Sequence, residues 1–470
     1  MTNRHNIFWL ILLSSTFFLY IQMVVQHGIF FDGLIYATLA KNLAGDVGSV
    51  FDPRISKFFF AHFHEHPPFA IFLESLFFKL FGTAYFVERV YSFSIFAVVI
   101  TIISKLWNTL YSAEDKKFVW LPILLFLALP LVFWSFTQNM LETTMTMFSL
   151  LSVYLIYKAI LSESLKIQVL FLLFAALSII ASFFSKGPVG IFPLATISIA
   201  FIFLREVSLK KAIILNFVLF FFVFITTLIL MQNDDLYHAT RTYLNQQVIA
   251  SLEGHRDTVQ NRFVFLFEIL KETSPLIIIT ILTYIFTRKS VTQELNSLRL
   301  ALFFIAIGLS ASLPIMVSTK QFGFYLVPSL PFFSLGFSIL SFPYIKYLVN
   351  KIQNPKYPIL FFSLVFTVSL IFTFTKIGEY SRDEQRIKDL KTISSVIQPD
   401  TIIQISPRMS DDASLNAYFM RYYGIELDTK NQYRYYMHYK KDAPNKKVLQ
   451  SYKKMDIDLN LYILYKAKFY

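Results

Sequence analysis

The chain has 470 residues, 55% of them hydrophobic and only 16% charged, where soluble globular proteins carry roughly 25% charged residues. That balance makes lipid the main solvent, and 54 Phe with 26 Tyr suit lipid-facing helices and interfacial belts. The absence of cysteine excludes disulfides, thiolate metal sites and thiol nucleophiles, and the net charge of +13 is read as loop charge that sets topology rather than as nucleic-acid affinity.

Spanning a bilayer takes about 20 apolar residues. The first such stretch, 7–25, has no small-residue cleavage site and reads as an uncleaved span rather than a signal peptide. Further spans are expected over 84–104, 118–136, 140–157, 167–184, 187–204, 212–231, 274–287, 300–317, 323–342 and 358–375, eleven in all. Alternate loops carry Lys105, Lys116 and Lys117; Lys158 and Lys166; Arg205, Lys210 and Lys211; Arg288, Lys289 and Arg299; Lys346, Lys351 and Lys356. By the positive-inside rule these loops and the N-terminus face the cytoplasm, which leaves 26–83, 232–273 and everything after about 376 outside.

The outer segments hold structure of their own. The stretch 67–81 is amphipathic and too short to span, so a helix lying at the interface is expected there. In the second outer segment 243–248 and 262–270 are expected to be helical. After Lys376 the composition changes abruptly: "DTIIQIS" and "LNLYILY" read as β-strands and 382–397 as helix. From Lys430 onward ten Lys and Arg face Asp442, Asp456 and Asp458, a surface either resting on anionic headgroups or merely solvated. No internal repeat is visible, which weakens the case for a repeat-built transporter. The expected fold is an α-helical polytopic membrane protein over 1–376 with interfacial helices, followed by a small extracytoplasmic α/β domain over 377–470.

Five places can carry chemistry. In "FFDGLIYATLAKNLA" the carboxylate of Asp32 stands just beyond the first span, where thin solvation favours a proton acceptor. Tyr36, Ala37, Ala40 and Leu43 follow helical spacing, so the competing reading of Asp32 is an N-cap. In "HFHEHPPF", His62–Phe69, the prolines start a helix and leave Glu65 and His66 outside it. His64 and His66 are two apart, not the four of a helical zinc pair, so a metal would need a distant ligand such as His238 or His255. The alternatives are a solvated loop and a polar headgroup site. Glu142 in "TQNMLETTMTMF" lies near the outer end of a span, where an intramembrane carboxylate usually marks a site. Lys186 in "FFSKGPVGIFP" runs against the positive-inside trend and either holds an anion or snorkels. Lys320 and Tyr325 in "STKQFGFYLVPSLPFF" repeat that arrangement. All these charges sit at span ends, whereas pairs at midspan would favour a transporter.

The ordered set "FDGLIYATLAKNLA", "HEHPPFAIFLESLFFKLFG", "VERVYSF", "QNMLETTMTMFSLLSVYLIY", "SKGPVGIFP" and "KQFGFYLVPSLPFF" resembles the GT-C glycosyltransferases over roughly residues 10–340. The likeness is greatest to the branch of protein O-mannosyltransferases and lipid A aminoarabinose transferases. The resemblance implies a multispanning enzyme of the cytoplasmic membrane that takes a sugar from a polyprenyl-phosphate carrier on the outer face. It implies catalytic roles for Asp32, Glu65 and Glu142, and substrate-binding roles for His64, His66, Lys186, Lys320, Tyr325 and Arg89. Asp32 would act as general base on the acceptor hydroxyl, and direct displacement would invert the anomeric carbon. The acceptor is lipid A or a cell-surface glycan, with a protein acceptor as the alternative; a transporter or non-catalytic scaffold is the alternative of another class. Because lysine or arginine counters a single phosphate, no cofactor is required, and a divalent metal at His64, Glu65 and His66 is the competing possibility. One departure stands out. The family often has Asp-Glu where this chain has Asp32-Gly33, so Glu65 or Glu142 contributes more, or activity is lower or absent.

Overall fold

The structure, a computed structural model, describes residues 4–205, 207–256, 258–443 and 446–468. They form two compact units: one comprises the chain up to Val24, Glu65–Ala70 and Ser92–Lys376, the other Val25–His64, Ile71–Tyr91 and the chain from Ile377.

The first unit is helical. All eleven segments expected to span are helical or mostly so, but eight helices among the described residues are long and apolar enough to cross a membrane. The three others fall short for identifiable reasons. The pair Asp115–Leu127 and Pro130–Thr137 is bent by 80°, at a break where Pro130 lacks the N–H a continuous helix needs. The segment Pro188–Phe203 is short and opens as a 3-10 turn containing Pro188 and Pro193. Val264–Thr287 is long enough, but Glu268, Lys271 and Glu272 occupy its first half. That helix also absorbs the separate outer helix expected at 262–270. Pro275 sits inside it, and the Lys271 carbonyl that Pro275 cannot engage accepts from Ser274 Oγ at 2.8 Å. The helix expected at 243–248 is instead the continuation of Asp234–Tyr243 through a π turn, Leu244–Ile249.

Hydrophobic solvent explains the side chains these helices present. Leu209–Leu230 and Lys356–Thr375 have only 11% of their apolar windows buried, exposing Phe217, Phe221 and Phe224 on one, Phe361, Leu364 and Phe374 on the other. In water such faces would aggregate, whereas lipid covers them. Inside, Leu141–Leu161 packs along Leu165–Lys186, and Leu295–Ser312 along Leu330–Asn350. Gly308 and Gly336 let the second pair approach closely: a Cβ at Gly336 would lie 2.6 Å from Ile305 and one at Gly308 would lie 2.8 Å from Phe333.

The second unit carries the expected strands, Ile402–Ile405 and Tyr462–Ala467, and the expected helix, Glu384–Ser394. Ile402–Ile405 pairs in parallel with Glu426–Asp428 on one side and Tyr435–Tyr439 on the other. Tyr462–Ala467 then runs antiparallel between Tyr435–Tyr439 and Tyr452–Lys454, closing a five-stranded mixed sheet. A helix, Ala413–Tyr423, is N-capped by Asp412, whose side chain accepts from Leu415 N, and ends at Gly424 in the left-handed conformation (φ +63°). It packs on Phe31–Ala44: Lys41 Nζ donates to Met420 O at 2.7 Å and Thr38 Oγ1 to Ala417 O at 3.3 Å. The C-terminal sheet is thus built into one body with the segment that follows the first span.

Candidate active site

The first unit contains a cavity of about 210 Å³ whose polar wall includes His66, Glu142, Lys186, Tyr243, Gln247, Lys320 and Tyr325. Helix geometry puts the two central charges there. Glu142 is the second residue of Leu141–Leu161 and Lys186 the last of Leu165–Lys186, in two helices of nearly equal length packed antiparallel. The helix N-terminus favours the carboxylate and the C-terminus favours the ammonium. Glu142 is fully buried, and its Oε1 lies 3.1 Å from Lys186 Nζ, whose side chain is 10% exposed.

Lys186 also reaches the "HEHPPF" segment. Its Nζ lies 3.2 Å from His66 Nε2, so an ammonium donor there makes Nε2 the acceptor and leaves the ring proton on Nδ1. Burial, then the positive charges of Lys186, Lys320 and Arg256, hold His66 well below the usual histidine range. His66 is therefore a neutral imidazole. The helix after it begins at Phe69, directly behind Pro67 and Pro68. Lys320 Nζ donates to Gln247 Oε1 at 3.2 Å, within the π turn. The Lys320 loop is tied down by Thr258, which donates to Gln321 O and accepts from Gln321 N at 2.9 and 2.8 Å. Glu65 faces Arg256 at 3.6 Å. Tyr325 opens the approach to Leu330–Asn350 in the 3-10 turn Gly323–Ser329.

The other expected site residues lie in the second unit. Asp32 is partly exposed in the first turn of Phe31–Ala44, where Phe30 and not Asp32 holds the N-cap position. The N-cap reading of Asp32 is thereby corrected: the helix begins at Phe31, two residues earlier than an Asp32 cap would set it. His64 Nε2 stands 3.7 Å from Asp52 Oδ1, in a group with His62 at 2.9 Å and Arg54 at 2.6 Å from the same carboxylate. Among the described residues no three His, Asp or Glu side chains are grouped as metal ligands are. Arg89 is 2% exposed and donates to the Gly28 carbonyl.

Sequence reasoning missed Tyr243, Gln247 and Arg256 as site residues. Tyr243 donates from its hydroxyl to Lys186 O at 3.1 Å; burial and then the charge of Glu142 push that hydroxyl upward, so it stays protonated. Its signal in the sequence is Gly187. That glycine holds φ +126°, and a Cβ on it would overlap the Tyr243 hydroxyl. Gly187→Ala is expected to lower stability by about 2 kcal/mol, read by thermal unfolding in detergent. Adding Tyr243→Phe should recover part of that loss, since the overlap is mainly with the hydroxyl.

Counted over the wall, Glu142 opposes Lys186 and Lys320, leaving one positive charge in excess beside a neutral His66. An apolar pocket with that excess suits a singly charged phosphate joined to a hydrophobic chain, because its anion is stabilised where water is scarce.

The family of dolichyl-phosphate-mannose-protein mannosyltransferases matches residues 65–230. The fold is shared with ArnT from Cupriavidus metallidurans bound to undecaprenyl phosphate, at 11% identity and a TM-score of 0.63 over 97% of this chain and 98% of that one. The apo form of the same enzyme aligns at 12% identity with a TM-score of 0.62, covering 97% of each chain. An apo oligosaccharyltransferase from Archaeoglobus fulgidus is similar over 88% of this chain and 64% of its own, at 13% identity and a TM-score of 0.53. A search of curated protein sequences gives no match. The likeness read from the ordered motifs holds: this is a multispan membrane protein with the fold of the GT-C glycosyltransferases.

Proposed function

We propose that this protein moves a sugar from a polyprenyl-phosphate carrier to lipid A or a cell-surface glycan on the outer face of the cytoplasmic membrane. The observation that carries this reading is the cavity in which Lys186 and Lys320 meet Glu142 and His66 at the ends of spans. It is supported by a fold shared along its whole length with an enzyme solved with undecaprenyl phosphate. The basic alternate loops support the orientation.

In the proposed reaction the acceptor oxygen bonds to the anomeric carbon as the bond from that carbon to the phosphate oxygen breaks. Asp32 takes the acceptor proton, and the carrier leaves as a phosphate anion stabilised by the lysines. The displacement inverts the anomeric centre. With Gly33 next to it, Asp32 is the single acid at that point of the chain. Asp32→Asn is expected to lower transfer by about 10²–10⁴-fold, the usual weight of a general base. The readout is the sugar-charged carrier in membrane extracts: it should accumulate while the surface glycan loses its sugar. Unchanged carrier and glycan would overturn the role of Asp32.

A protein acceptor is the second reading, favoured by the match of 65–230 to a protein mannosyltransferase family. Intact-mass comparison of secreted proteins from cells with and without this chain separates the two: a hexose lost from a protein selects the second.

A further inference from the structure

The first unit has a second and larger cavity, about 710 Å³, at the end of the spans away from the candidate active site. The helix Leu330–Asn350 and the 3-10 turn before it fix this placement. Tyr325 lines the active-site cavity, whereas Leu348, Val349 and Ile352 line the second one. The cavity lies beside the 80° bend between Asp115–Leu127 and Pro130–Thr137, lined up to the break by Leu127 and Ala128. Trp120, Leu124 and Ala128 line it on one side. The first span lines it from Phe8 to Leu19. Eleven residues of helix rise about 16 Å, and one leaflet of a bilayer core is about 15 Å thick. The cavity is therefore one leaflet deep.

Its two ends differ. The deep end is apolar, with Leu19, Leu127 and Ile279. At the other, Arg4 donates to the carbonyls of Val349 and Asn350 at 3.2 and 2.6 Å, exposed Lys351 follows at once, and Lys117 lies in the 3-10 turn Asp115–Phe118, whose Phe118 ring packs edge-on against His5 at 4.7 Å. His5 accepts from Trp120 Nε1 at 3.1 Å, and Trp120 stacks on Phe8 at 3.8 Å, both cavity-lining rings. The nearby Asp115 is bonded to Lys346 at 2.6 Å, so the rim carries a surplus of cations. We infer that this cavity is a binding site for one anionic phospholipid of the leaflet at that end, its acyl chain along Phe8–Leu19 and its phosphate among Arg4, Lys117 and Lys351. Depth excludes a polyprenyl chain that must reach the far leaflet, and the cationic rim selects a charged headgroup over a zwitterionic one.

The test uses the full chain reconstituted in vesicles of equal phosphatidylglycerol and phosphatidylcholine, extracted in mild detergent and weighed intact by native mass spectrometry. One retained phosphatidylglycerol per chain is expected. Lys117→Ser and Lys351→Ser should each lower its retention about fivefold, while Lys166→Ser, in another loop at the same membrane end, leaves it unchanged. Ala128→Phe should narrow the cavity at its deep end, beside Leu127, and lower retention while the elution profile of the folded protein stays the same. Equal retention of both lipids, or retention indifferent to Ala128→Phe, would overturn the assignment.

Discussion

Lys186→Met is expected to cost about 3–5 kcal/mol of stability and to abolish sugar transfer. The reason lies in Glu142, which is fully buried with the Lys186 ammonium 3.1 Å from its carboxylate. Removing one member of a buried pair strands the other charge in a medium that solvates it poorly. Glu142→Gln should cost a similar amount for the mirror reason, leaving the ammonium with the His66 nitrogen and no counter-charge from that side. The informative protein is the double variant. With both charges gone the desolvation penalty goes too, so Glu142→Gln with Lys186→Met should unfold closer to wild type than either single variant. Activity should not follow stability back. If Lys186 faces the phosphate of the carrier, the double variant remains inactive while folded, and thermal unfolding and carrier turnover separate. Activity recovered together with stability would assign the pair to packing alone.

Hydropathy and loop charge made the helical part of this fold legible, because lipid imposes one rule on every span: about 20 apolar residues with their backbone bonds made internally. The count came out high where that rule bends. Pro188–Phe203 opens as a 3-10 turn, and Val264–Thr287 carries charge in its first half. The strands Ile402–Ile405 and Tyr462–Ala467 were legible from aliphatic and aromatic content. Tyr435–Tyr439 was not, since "YYMHY" is buried nearly throughout and shows no alternation. Of the site, Glu142, Lys186, His66 and Lys320 stand out as charged or titratable groups at span ends, and the structure brings them to one cavity. Tyr243 and Gln247 did not stand out. Periodicity marks them only as helix, and what gives them a role is a π turn and a glycine some 60 residues earlier. The union of 25–64 and 71–91 with the C-terminal sheet was equally hidden, because contacts such as Lys41 to Met420 cross 379 residues of sequence.

That union sets the other large expectation: Arg421→Met should unfold the second unit. Arg421 is fully buried, and its guanidinium donates to Thr83 O at 3.0 Å, Ala84 O at 2.7 Å and Glu88 Oε2 at 2.6 Å. It also lies 4.6 Å over the Phe78 ring. One side chain on Ala413–Tyr423 thus satisfies two carbonyls and a carboxylate from 71–91. Methionine keeps the volume and the ring contact but leaves Glu88, 1% exposed, with only the Tyr422 hydroxyl at 3.1 Å. The expected cost is about 3–5 kcal/mol. Lysine should not rescue, because a single ammonium cannot serve three acceptors arranged for a planar fork. Glu88→Gln with Arg421→Met should recover part of the loss, as the stranded charge is gone. Arg408, 80% exposed and paired with Asp442, provides the contrast. Its replacement by alanine should shift unfolding by no more than about 0.5 kcal/mol, the scale of a solvated pair. Limited proteolysis reads both: cleavage after Lys376 should accelerate in Arg421→Met and in Arg421→Lys and stay at the wild-type rate in Arg408→Ala. Equal rates in all three would show that the ion pair does not hold the C-terminal sheet to 71–91.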